Sequence, residues 1–252
     1  MRSLVVLPTY NEAENVLPIM HDILSQDPNL EVLVVDDNSP DRTADRVAEA
    51  QRKSARVHLL RRPKKLGLGT AYLAGFEYAL ERDFRRILTM DCDGSHDPNY
   101  LPEILTRSLD YDLVIGSRYV PGGGVRNWSL LRRMLSRAAN LYTRLLLRLP
   151  VKDCTAGFRC YSREVLLGVE PFSIRASGYA FLEEMVWRVA RGGFRICEIP
   201  IIFVDRTRGS SKISSAEIYR AIWHVLSLAF RPPTLPLPRT GGTVAEVKTR
   251  DR

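Results

Sequence analysis

The chain has 252 residues, of which 45% are hydrophobic and 26% charged, a composition typical of globular proteins rather than of fibres or disordered chains. Its four cysteines form no Cys-x-x-Cys pair, which excludes a zinc ribbon and a dense disulfide framework and favours a reduced, cytosolic protein. The apolar run at 4–7 is too short for a signal peptide. The apolar stretch 221–230 is about half of the ~20 residues that a membrane-spanning helix needs, so no transmembrane segment is predicted.

The net charge of +8 is concentrated in one part of the chain. No acidic residue occurs in 113–152, whereas the basic residues there equal the whole excess: Arg118, Arg126, Arg132, Arg133, Arg137, Arg144, Arg148 and Lys152. A stretch of one charge attracts an anionic partner, such as a phosphate ester, a negatively charged membrane or nucleic acid. The alternative is a helix face that is merely solvated.

Strand and helix patterns alternate along the first half of the chain. Short apolar runs predict strands at 3–7, 31–35, 57–60, 87–90 and 113–116. Asn11 with Glu14 predicts a capping box for a helix through 16–24, and Ser39 followed by Pro40 predicts the start of the next helix. A third helix is predicted over 69–82. This alternation indicates an α/β fold: a doubly wound, mainly parallel sheet flanked by helices.

Two amphipathic helices are predicted in the second half of the chain. The first covers 129–149, with Arg133, Arg137, Arg144 and Arg148 opposite an apolar face that includes Leu135 and Leu145. The second covers 216–230 and carries Trp223. Each helix either packs its apolar face on the core or lies in a membrane interface. The sequence predicts one domain over 1–230, followed by a proline-rich, disordered tail over 231–252.

Pairs of acidic residues lie at the ends of two predicted strands. Asp91 and Asp93 are two positions apart after the strand at 87–90, so their carboxylates can converge on a hard cation such as Mg²⁺ or Mn²⁺. Asp36 and Asp37 end another strand of the same predicted sheet edge, where a carboxylate commonly binds a ribose hydroxyl or a base N–H. Both pairs could instead be turn caps.

Several other functions lack their sequence motif. No Gly-x-Gly-x-x-Gly follows the first strand, and no Walker A sequence is present, which excludes a nicotinamide enzyme and a P-loop kinase. The four histidines have no metal-ligand spacing, and His96 is interpreted as orienting the acidic loop rather than as a base. Cys92 is interpreted as a small residue beside a ligand, because no nucleophile-elbow sequence surrounds it.

Taken together, these motifs resemble glycosyltransferase family two. The resemblance is carried by VLPTYNE at 6–12, VVDDNSPD at 34–41, KLGLGTAY at 65–72 and MDCD at 90–93. More narrowly, GSRY at 116–119, GGV at 123–125, SRAAN at 136–140 and TAGFRCY at 155–161 resemble the dolichol-phosphate, or polyprenol-phosphate, mannosyltransferases. The resemblance implies a GT-A (Rossmann-like) domain, a GDP-mannose donor, a divalent cation, and a polyprenyl or dolichyl monophosphate acceptor at the cytosolic face of a membrane.

The resemblance also implies roles for individual residues. It places Pro8, Tyr10 and Glu12 in the nucleotide pocket, with Val35 and Asp37 at the guanosine. Asp91, Cys92 and Asp93 would hold the diphosphate and the metal, and Ser95 occupies the position of a further metal ligand. Arg118 and Arg132 match arginines that hold the acceptor phosphate. Arg206 and Lys212 match a flexible loop that closes on the donor. Some relatives have transmembrane helices after this domain. Because no transmembrane segment is predicted here, attachment to the membrane would be peripheral or through an anchoring partner.

The chemistry of the acceptor supports this interpretation. A phosphate monoester has its second pKa near 6, so it is already an anionic nucleophile at neutral pH and needs no general base. Two anions must nevertheless be brought together and the leaving diphosphate stabilised, which suits a metal and an arginine-rich stretch. The hypothesis is a direct displacement with inversion that gives β-linked mannosyl phosphate, with Asp93, Arg118 and Arg132 as its catalytic residues.

Three alternatives remain open from the sequence. The same lipid-phosphate chemistry could use UDP-glucose or UDP-N-acetylglucosamine. A basic nucleic-acid-binding module would explain the sequence pI of about 9.5 but not the acidic strand ends. A scaffolding subunit without activity would not need the intact acidic motif.

Overall fold

The computed structural model describes residues 1–176, 178–205 and 215–230. The strands in this part of the chain are β1 (Ser3–Thr9), β2 (Leu30–Asp36), β3 (Val57–Arg61), β4 (Arg86–Thr89), β5 (Leu113–Ser117), β6 (Gly124–Arg126), β7 (Arg159–Ser162), β8 (Ile196–Pro200) and β9 (Ile202–Val204). The helices are α1 (Val16–Gln26), α2 (Thr43–Lys53), α3 (Leu68–Glu81), α4 (Leu101–Arg107), α5 (Leu130–Leu147), α6 (Arg163–Gly168), α7 (Tyr179–Arg191) and α8 (Ser215–Phe230). The predicted tail at 231–252 lies outside the described residues.

Seven strands form one sheet in the order β3-β2-β1-β4-β7-β5-β8. The pairs β1–β2, β2–β3, β1–β4 and β5–β8 are parallel. The direction of strand addition reverses between β1 and β4, which creates a crevice at their carboxyl ends where ligands bind in open α/β sheets. The mainly parallel sheet predicted from the sequence is therefore confirmed, and the acidic motif lies at this crevice.

One strand of the large sheet is antiparallel. β7 lies between β4 and β5 and runs opposite to both. It is not among the predicted strands, because its sequence, Arg-Cys-Tyr-Ser, has no continuous apolar run. Neither this strand nor its direction could therefore be predicted from the sequence. β6 and β9 form a separate two-stranded parallel sheet. In the sequence, β6 follows β5 and β9 follows β8, and this small sheet carries residues of the site.

The sheet is buried on both faces, which explains the continuous apolar runs of its strands. In β1, Leu4 and Val6 belong to the core shared with α3, α5, α7 and α8, whereas Val5 and Leu7 belong to the core shared with α1, α2 and α4. Neighbouring side chains of a strand point to opposite faces, so one run of residues supports both layers of helices.

The predicted starts of the first two helices are wrong in detail. Asn11 has a positive φ of 62° and lies outside α1, whose N-cap is Asn15. Helix α2 begins at Thr43 rather than at Pro40, because the Asp41 carboxylate accepts the Thr43 backbone N–H at 3.0 Å. Ser39 is not a cap, since its hydroxyl donates to Asp36 at 2.6 Å. These polar residues instead shape the loops at the carboxyl edge of the sheet.

The sequence left two arrangements open for the apolar face of helix α5, and the structure distinguishes them for two of its leucines. It begins after Ser129, whose hydroxyl accepts the Arg132 N–H, and it buries Asn140, Thr143 and Leu147. Leu135 and Leu145, which were placed on the apolar face, are 56% and 70% exposed. Core packing is therefore wrong for these two side chains. No helix in the described part of the chain is both long and apolar enough to cross a membrane.

Candidate active site

The loops that follow β1 and β2 are fastened to each other by Asp36. Its carboxylate accepts the Thr9 hydroxyl at 2.9 Å, the Ser39 hydroxyl at 2.6 Å and the Ser39 backbone N–H at 2.9 Å. Because Asp36 is 1% exposed and surrounded by these donors, it holds the loops at the carboxyl edge in place. Asp37, the next residue, is the one that the sequence resemblance places at the guanosine.

Asp37 is held by a buried arginine that the sequence analysis did not identify. Arg62 donates from Nε to the Asp37 carboxylate at 2.5 Å and also forms an ion pair with it through Nη2. The same guanidinium reaches the Thr70 hydroxyl at 2.7 Å. The Leu66 N–H donates to the other Asp37 oxygen at 3.2 Å. Asp37 therefore joins the end of β2 to the loop before α3, with its carboxylate shared among several donors.

The other residues predicted for the nucleotide pocket lie at or next to the ends of β1 and β2. Pro8 and Tyr10 are half-buried, and Lys65 lies 4.4 Å from the centre of the Tyr10 ring. The Glu12 carboxylate accepts the Asn15 side-chain amide at 2.8 Å, just before α1. The Val35 side chain is fully buried in the core, at the level of Pro8 in the sheet. The predicted set thus gathers along one edge, and Lys65 joins it.

The acidic motif forms a tight loop after β4. The Asp93 carboxylate accepts the Ser95 hydroxyl at 2.5 Å and the Ser95 N–H at 3.1 Å. The Asp91 side chain is 35% exposed and has the Tyr72 hydroxyl 3.5 Å away. Cys92 is buried between the two carboxylates, and burial raises the pKa of its thiol well above the usual value. Cys92 is therefore unsuited to act as a nucleophile.

Two carboxylates and a hydroxyl are a suitable donor set for a hard divalent cation. Mg²⁺ is typically held by one or two carboxylates together with substrate phosphates, not by a cage of protein ligands. In the described residues no group of three or more His, Cys, Asp or Glu side chains could hold a metal alone. A cation at Asp91 and Asp93 would therefore need oxygens from a bound diphosphate.

His96 positions the loop, as interpreted from the sequence. Its Nδ1 accepts the Asp91 backbone N–H at 3.0 Å, so this nitrogen carries no proton. Burial lowers the pKa of His96 below its usual value, in spite of the nearby Asp91 and Asp93 charges. The ring stacks on Phe158 at a centroid distance of 5.1 Å and meets Phe203 edge-on at 5.4 Å. The acidic loop is thereby connected to β9.

Arg118 follows β5 and is held by a buried carboxylate. Asp153 accepts Arg118 Nε at 2.7 Å, Nη2 at 2.6 Å and the backbone N–H at 3.0 Å. Burial would raise the pKa of Asp153, but the charge and hydrogen bonds of Arg118 outweigh this and keep that pKa below its usual value. Thr155 also accepts from Nη2 at 2.8 Å. The guanidinium predicted to hold a phosphate is therefore rigidly oriented, and much of its charge is balanced.

Arg132 lies in the first turn of α5 and turns inward. Its Nη1 donates to the Asp205 carboxylate at 2.6 Å, and its guanidinium carbon lies 4.2 Å from the centre of the Trp128 ring. The Arg118 guanidinium lies 5.6 Å from the same ring. The two arginines predicted to share one phosphate therefore flank a single tryptophan.

An aromatic contact joins the arginines to the acidic loop. Phe203 meets the Trp128 ring edge-on at 5.5 Å, and it meets His96 in the same manner. The Val204 N–H also donates to the Ser95 carbonyl at 3.3 Å. β9 thus links the cationic pair to the acidic motif. Arg206 and Lys212, predicted to belong to a loop that closes on the donor, lie outside the described residues.

Arg62, Lys65, Trp128 and Asp153 contribute to the site but were not singled out from the sequence. Arg62, Lys65 and Asp153 are distant in the sequence from the site residue that each contacts; Asp153, for example, is 35 positions away from Arg118. The single acid that ends the acid-free stretch was the one available signal for Asp153. For Trp128 the signal was its place just before a basic helix, where it could equally have been a core residue.

The fold and the motifs define a glycosyltransferase: the model for glycosyl transferase family 2 matches residues 4–168, and the chain belongs to this family. It is 44% identical over 234 residues to polyprenol monophosphomannose synthase of Mycolicibacterium smegmatis, covering 91% of this chain and 88% of that protein. It is also 44% identical over 225 residues to undecaprenyl-phosphate mannosyltransferase of Micrococcus luteus, covering 89% and 93%. The family and the narrower resemblance predicted from the sequence are confirmed.

A solved structure supports the fold. The mannosyltransferase of Pyrobaculum calidifontis in complex with GDP-mannose and Mn²⁺ matches with a TM-score of 0.59 and 19% identity, over 93% of this chain and 66% of that one. At this level of identity the likeness shows the fold alone. The predicted GT-A type of α/β fold is confirmed.

Proposed function

We propose that this protein transfers mannose from GDP-mannose to a polyprenyl monophosphate, with inversion, on a single domain over residues 1–230. The observation that carries the proposal is that an acidic loop and a pair of arginines are joined by β9. Asp91 and Asp93 lie at the strand switch, and Arg118 and Arg132 flank Trp128, with Phe203 between that tryptophan and His96. The names of the two 44% identical relatives support the mannosyl donor group and the lipid-phosphate acceptor.

In the proposed displacement reaction, one part of the site holds the acceptor phosphate and the other holds the donor diphosphate. The acceptor phosphate oxygen forms a bond to the anomeric carbon of mannose, while the bond from that carbon to the diphosphate oxygen breaks. Arg118 and Arg132 would hold the acceptor phosphate and reduce its repulsion from the donor diphosphate. A phosphomonoester is deprotonated near neutral pH, so His96 can remain a neutral positioning residue.

The donor side would be completed by a divalent cation. Asp91 and Asp93, with Ser95 beside them, would hold it together with the diphosphate, and such a cation stabilises the negative charge of the leaving group. Pro8, Tyr10, Glu12 and Asp37 lie at the edge where the nucleoside would bind, whereas the Val35 side chain is buried in the core beside Pro8. The Mn²⁺ in the similarly folded Pyrobaculum enzyme supports a divalent cation here but does not decide between Mn²⁺ and Mg²⁺.

The transfer experiment uses labelled GDP-mannose, with UDP-glucose and UDP-N-acetylglucosamine in parallel. The acceptor is a short polyprenyl phosphate in detergent, with Mg²⁺, with Mn²⁺ or with a chelator. We expect label in the lipid phase from GDP-mannose only, dependent on the cation, and β-linked in the product. Label from a UDP-sugar alone, or a product with the donor anomer retained, would contradict the proposal.

We also propose that the enzyme binds peripherally to the cytosolic surface of an anionic membrane, either alone or with an anchoring subunit. Helices α5 and α8 are in contact, since the Tyr142 hydroxyl donates to the Ile222 carbonyl at 3.1 Å. Together they form what we call the α5–α8 surface, whose exposed apolar side chains include Leu131, Met134, Leu135, Leu141, Leu145, Tyr219, Ile222 and Trp223. Large exposed apolar patches mark sites of interaction with membranes or proteins.

The charges beside the α5–α8 surface favour a membrane as its occupant. Arg133, Arg137 and Arg220 are exposed on the same two helices, and no acidic residue occurs in α5. Basic helices with exposed leucines and an aromatic residue are typical of peripheral binding to anionic lipid. The acceptor substrate would itself be a membrane lipid.

Vesicle sedimentation tests this attachment. We expect the protein to bind vesicles that contain phosphatidylglycerol, more weakly at high salt, and to bind neutral vesicles poorly. The double variant Leu135→Ser, Leu145→Ser should reduce partitioning by about 10-fold or more, because each buried leucine contributes about 1.5–3 kcal/mol at most. Leu109→Ser is the control, since Leu109 is also exposed (64%) but follows α4. Equal effects of the two substitutions, or a dimer that is lost only in the double variant, would contradict membrane binding.

A further inference from the structure

Trp128 buries a hydrogen-bond donor that has no acceptor. The residue is 8% exposed, and its indole Nε1–H finds no partner among the residues that the structure describes. Leaving a buried donor unsatisfied costs about 1–3 kcal/mol, so such groups are rare and call for an explanation. A bound ligand that brings an acceptor to this position would supply one.

The surroundings of Trp128 select an anionic ligand. Arg132 covers its ring at 4.2 Å, and Arg118 lies 5.6 Å from the ring centre. Arg132 is only 30% exposed in its side chain, and its hydrogen bond to Asp205 uses one of its three nitrogens. A ligand here would meet two guanidinium groups and one neutral N–H donor, which is the set of groups that binds phosphate well.

We infer that the Trp128 indole N–H donates a hydrogen bond to the phosphate of the polyprenyl monophosphate acceptor. This inference rests on the proposed function and adds a binding residue to it. The acceptor phosphate is favoured over the donor diphosphate as this ligand. The donor diphosphate is expected at the acidic loop beside His96, and the Phe203 ring lies between His96 and Trp128. A rigid neutral donor also fixes the direction of one phosphate oxygen without adding charge, so it would orient the nucleophile between the arginines.

The experiment observes the indole directly by NMR. The chain has three tryptophans, so ¹⁵N-tryptophan labelling gives at most three indole signals, and Trp128→Phe assigns one of them by its loss. Three ligands are compared: a short prenyl phosphate, the matching prenol without phosphate, and GDP-mannose with Mg²⁺. We expect the prenyl phosphate to move the Trp128 indole proton downfield, as a new hydrogen bond does, and the other two ligands to leave it nearly unchanged.

Kinetics provide a second readout. Trp128→Phe keeps an aromatic ring under Arg132 but removes the N–H. A hydrogen bond to a charged group contributes about 1.5–3 kcal/mol, so KM for the prenyl phosphate should rise about 10-fold or more, with KM for GDP-mannose unchanged. Because the donor has no partner before the ligand binds, loss of the N–H itself should not lower the melting temperature, and any decrease reports the smaller volume of phenylalanine at a buried position. Trp187→Phe, at a buried tryptophan of α7, is the matched control and should leave the acceptor KM unchanged.

The outcomes separate this inference from the proposed function. If the wild type transfers mannose but Trp128→Phe has an unchanged acceptor KM, the inference fails and the proposed function stands. An indole shift caused equally by the prenol would mean apolar contact only, and a shift caused by GDP-mannose would assign the donor diphosphate instead. If no mannose is transferred, the proposed function fails, while a shift specific to the phosphate would still support Trp128 as a phosphate-binding residue.

Discussion

The acidic loop and the arginine pair hold their charged groups by different contacts. On the donor side, the Asp93 carboxylate accepts hydrogen bonds from the neutral Ser95 hydroxyl and N–H. On the acceptor side, Arg118 and Arg132 are each paired with a carboxylate, Asp153 and Asp205. Hydrogen bonds from neutral donors fix the direction of a carboxylate. Acidic partners fix the direction of an arginine and balance part of its charge. Substitutions in the two places should therefore differ in kind: loss of Asp93 removes a candidate cation ligand, whereas loss of Asp153 or Asp205 removes a group that orients an arginine.

The largest effect should come from the donor side. Asp93→Asn keeps the size of the side chain but removes the charge that a cation and a diphosphate would need. We expect transfer to fall by about 10²- to 10³-fold, the usual range for loss of one group that stabilises developing charge. The measurement is the initial rate of mannose transfer at saturating divalent cation, together with cation-dependent binding of GDP-mannose.

The matched control for that substitution lies in the same loop. Asp97→Asn changes an exposed carboxylate whose role is to accept the Asn99 N–H. Its transfer rate should stay within about twofold of the wild type, because surface substitutions usually change little. Equal losses for the two variants would mean that the loop needs its overall acidity and not a cation ligand at Asp93.

A smaller effect separates the two arginine pairs of the acceptor side. Asp153 is fully buried, whereas the side chain of Asp205 is 26% exposed. Asp153→Asn would leave the Arg118 charge buried without its partner, which typically costs about 3–5 kcal/mol of unfolding free energy. Asp205→Asn should cost less than about 1 kcal/mol, as is usual for ion pairs that water can reach. Urea denaturation of the two variants measures the difference.

The Asp205→Asn variant also tests whether the carboxylate orients Arg132. If it does, Asp205→Asn should raise the acceptor KM while leaving stability and the KM for GDP-mannose nearly unchanged. A lowered acceptor KM would instead show that the carboxylate mainly weakens the attraction of Arg132 for phosphate. Either result is informative only if Asp205→Asn remains folded, which the urea curves establish in the same samples.

The sequence predicted the donor half better than the acceptor half. β1, β2 and β4 are buried on both faces, so their continuous apolar runs identify them and place Asp36, Asp37, Asp91 and Asp93 at one edge. β7 and β9 are short and lack such runs, so neither the antiparallel direction of β7 nor the position of Phe203 could be predicted. Local patterns determine where a parallel strand ends, but only tertiary packing determines which distant side chains meet there.

Polar residues near the site misled the prediction of local structure for a related reason. Serine and asparagine are common at helix N-caps, but Ser39 and Asn11 bond to each other and to a strand end instead. The Asn11 N–H donates to the Ser39 hydroxyl at 3.0 Å, and that hydroxyl donates to Asp36. A serine or asparagine can bond a helix end or a neighbouring loop with similar energy. For α5 the sequence left open whether the apolar face packs on the core, and it gave no sign that the residues this helix buries include Asn140 and Thr143, whose polar groups are satisfied by partners distant in sequence.

The last prediction concerns a carboxyl of the acceptor half that has no basic side chain hydrogen-bonded to it. Glu183 in α7 accepts the Thr143 hydroxyl of α5 at 2.9 Å, while its other oxygen is buried without a partner in the described structure. His224 of α8 is hydrogen-bonded instead to the neighbouring Glu184, at 2.7 Å. Burial raises the pKa of Glu183 from its usual value to about 7, against smaller opposing effects of Thr143, His224 and Arg159. Glu183 is therefore a carboxyl through which pH should act on stability.

The sign of that effect follows from proton binding. Between the unfolded pKa of 4.5 and the folded pKa of about 7, the folded state binds more protons than the unfolded state, so stability falls as pH rises. Glu183→Gln cannot ionise and should be more stable than the wild type by about 2–3 kcal/mol at pH 8, with little difference near pH 4.5. Urea denaturation across this range measures the effect, with the exposed Glu77→Gln as control. A constant difference at all pH values would mean that the amide merely packs better, whereas a difference that grows with pH identifies the buried charge as its cause.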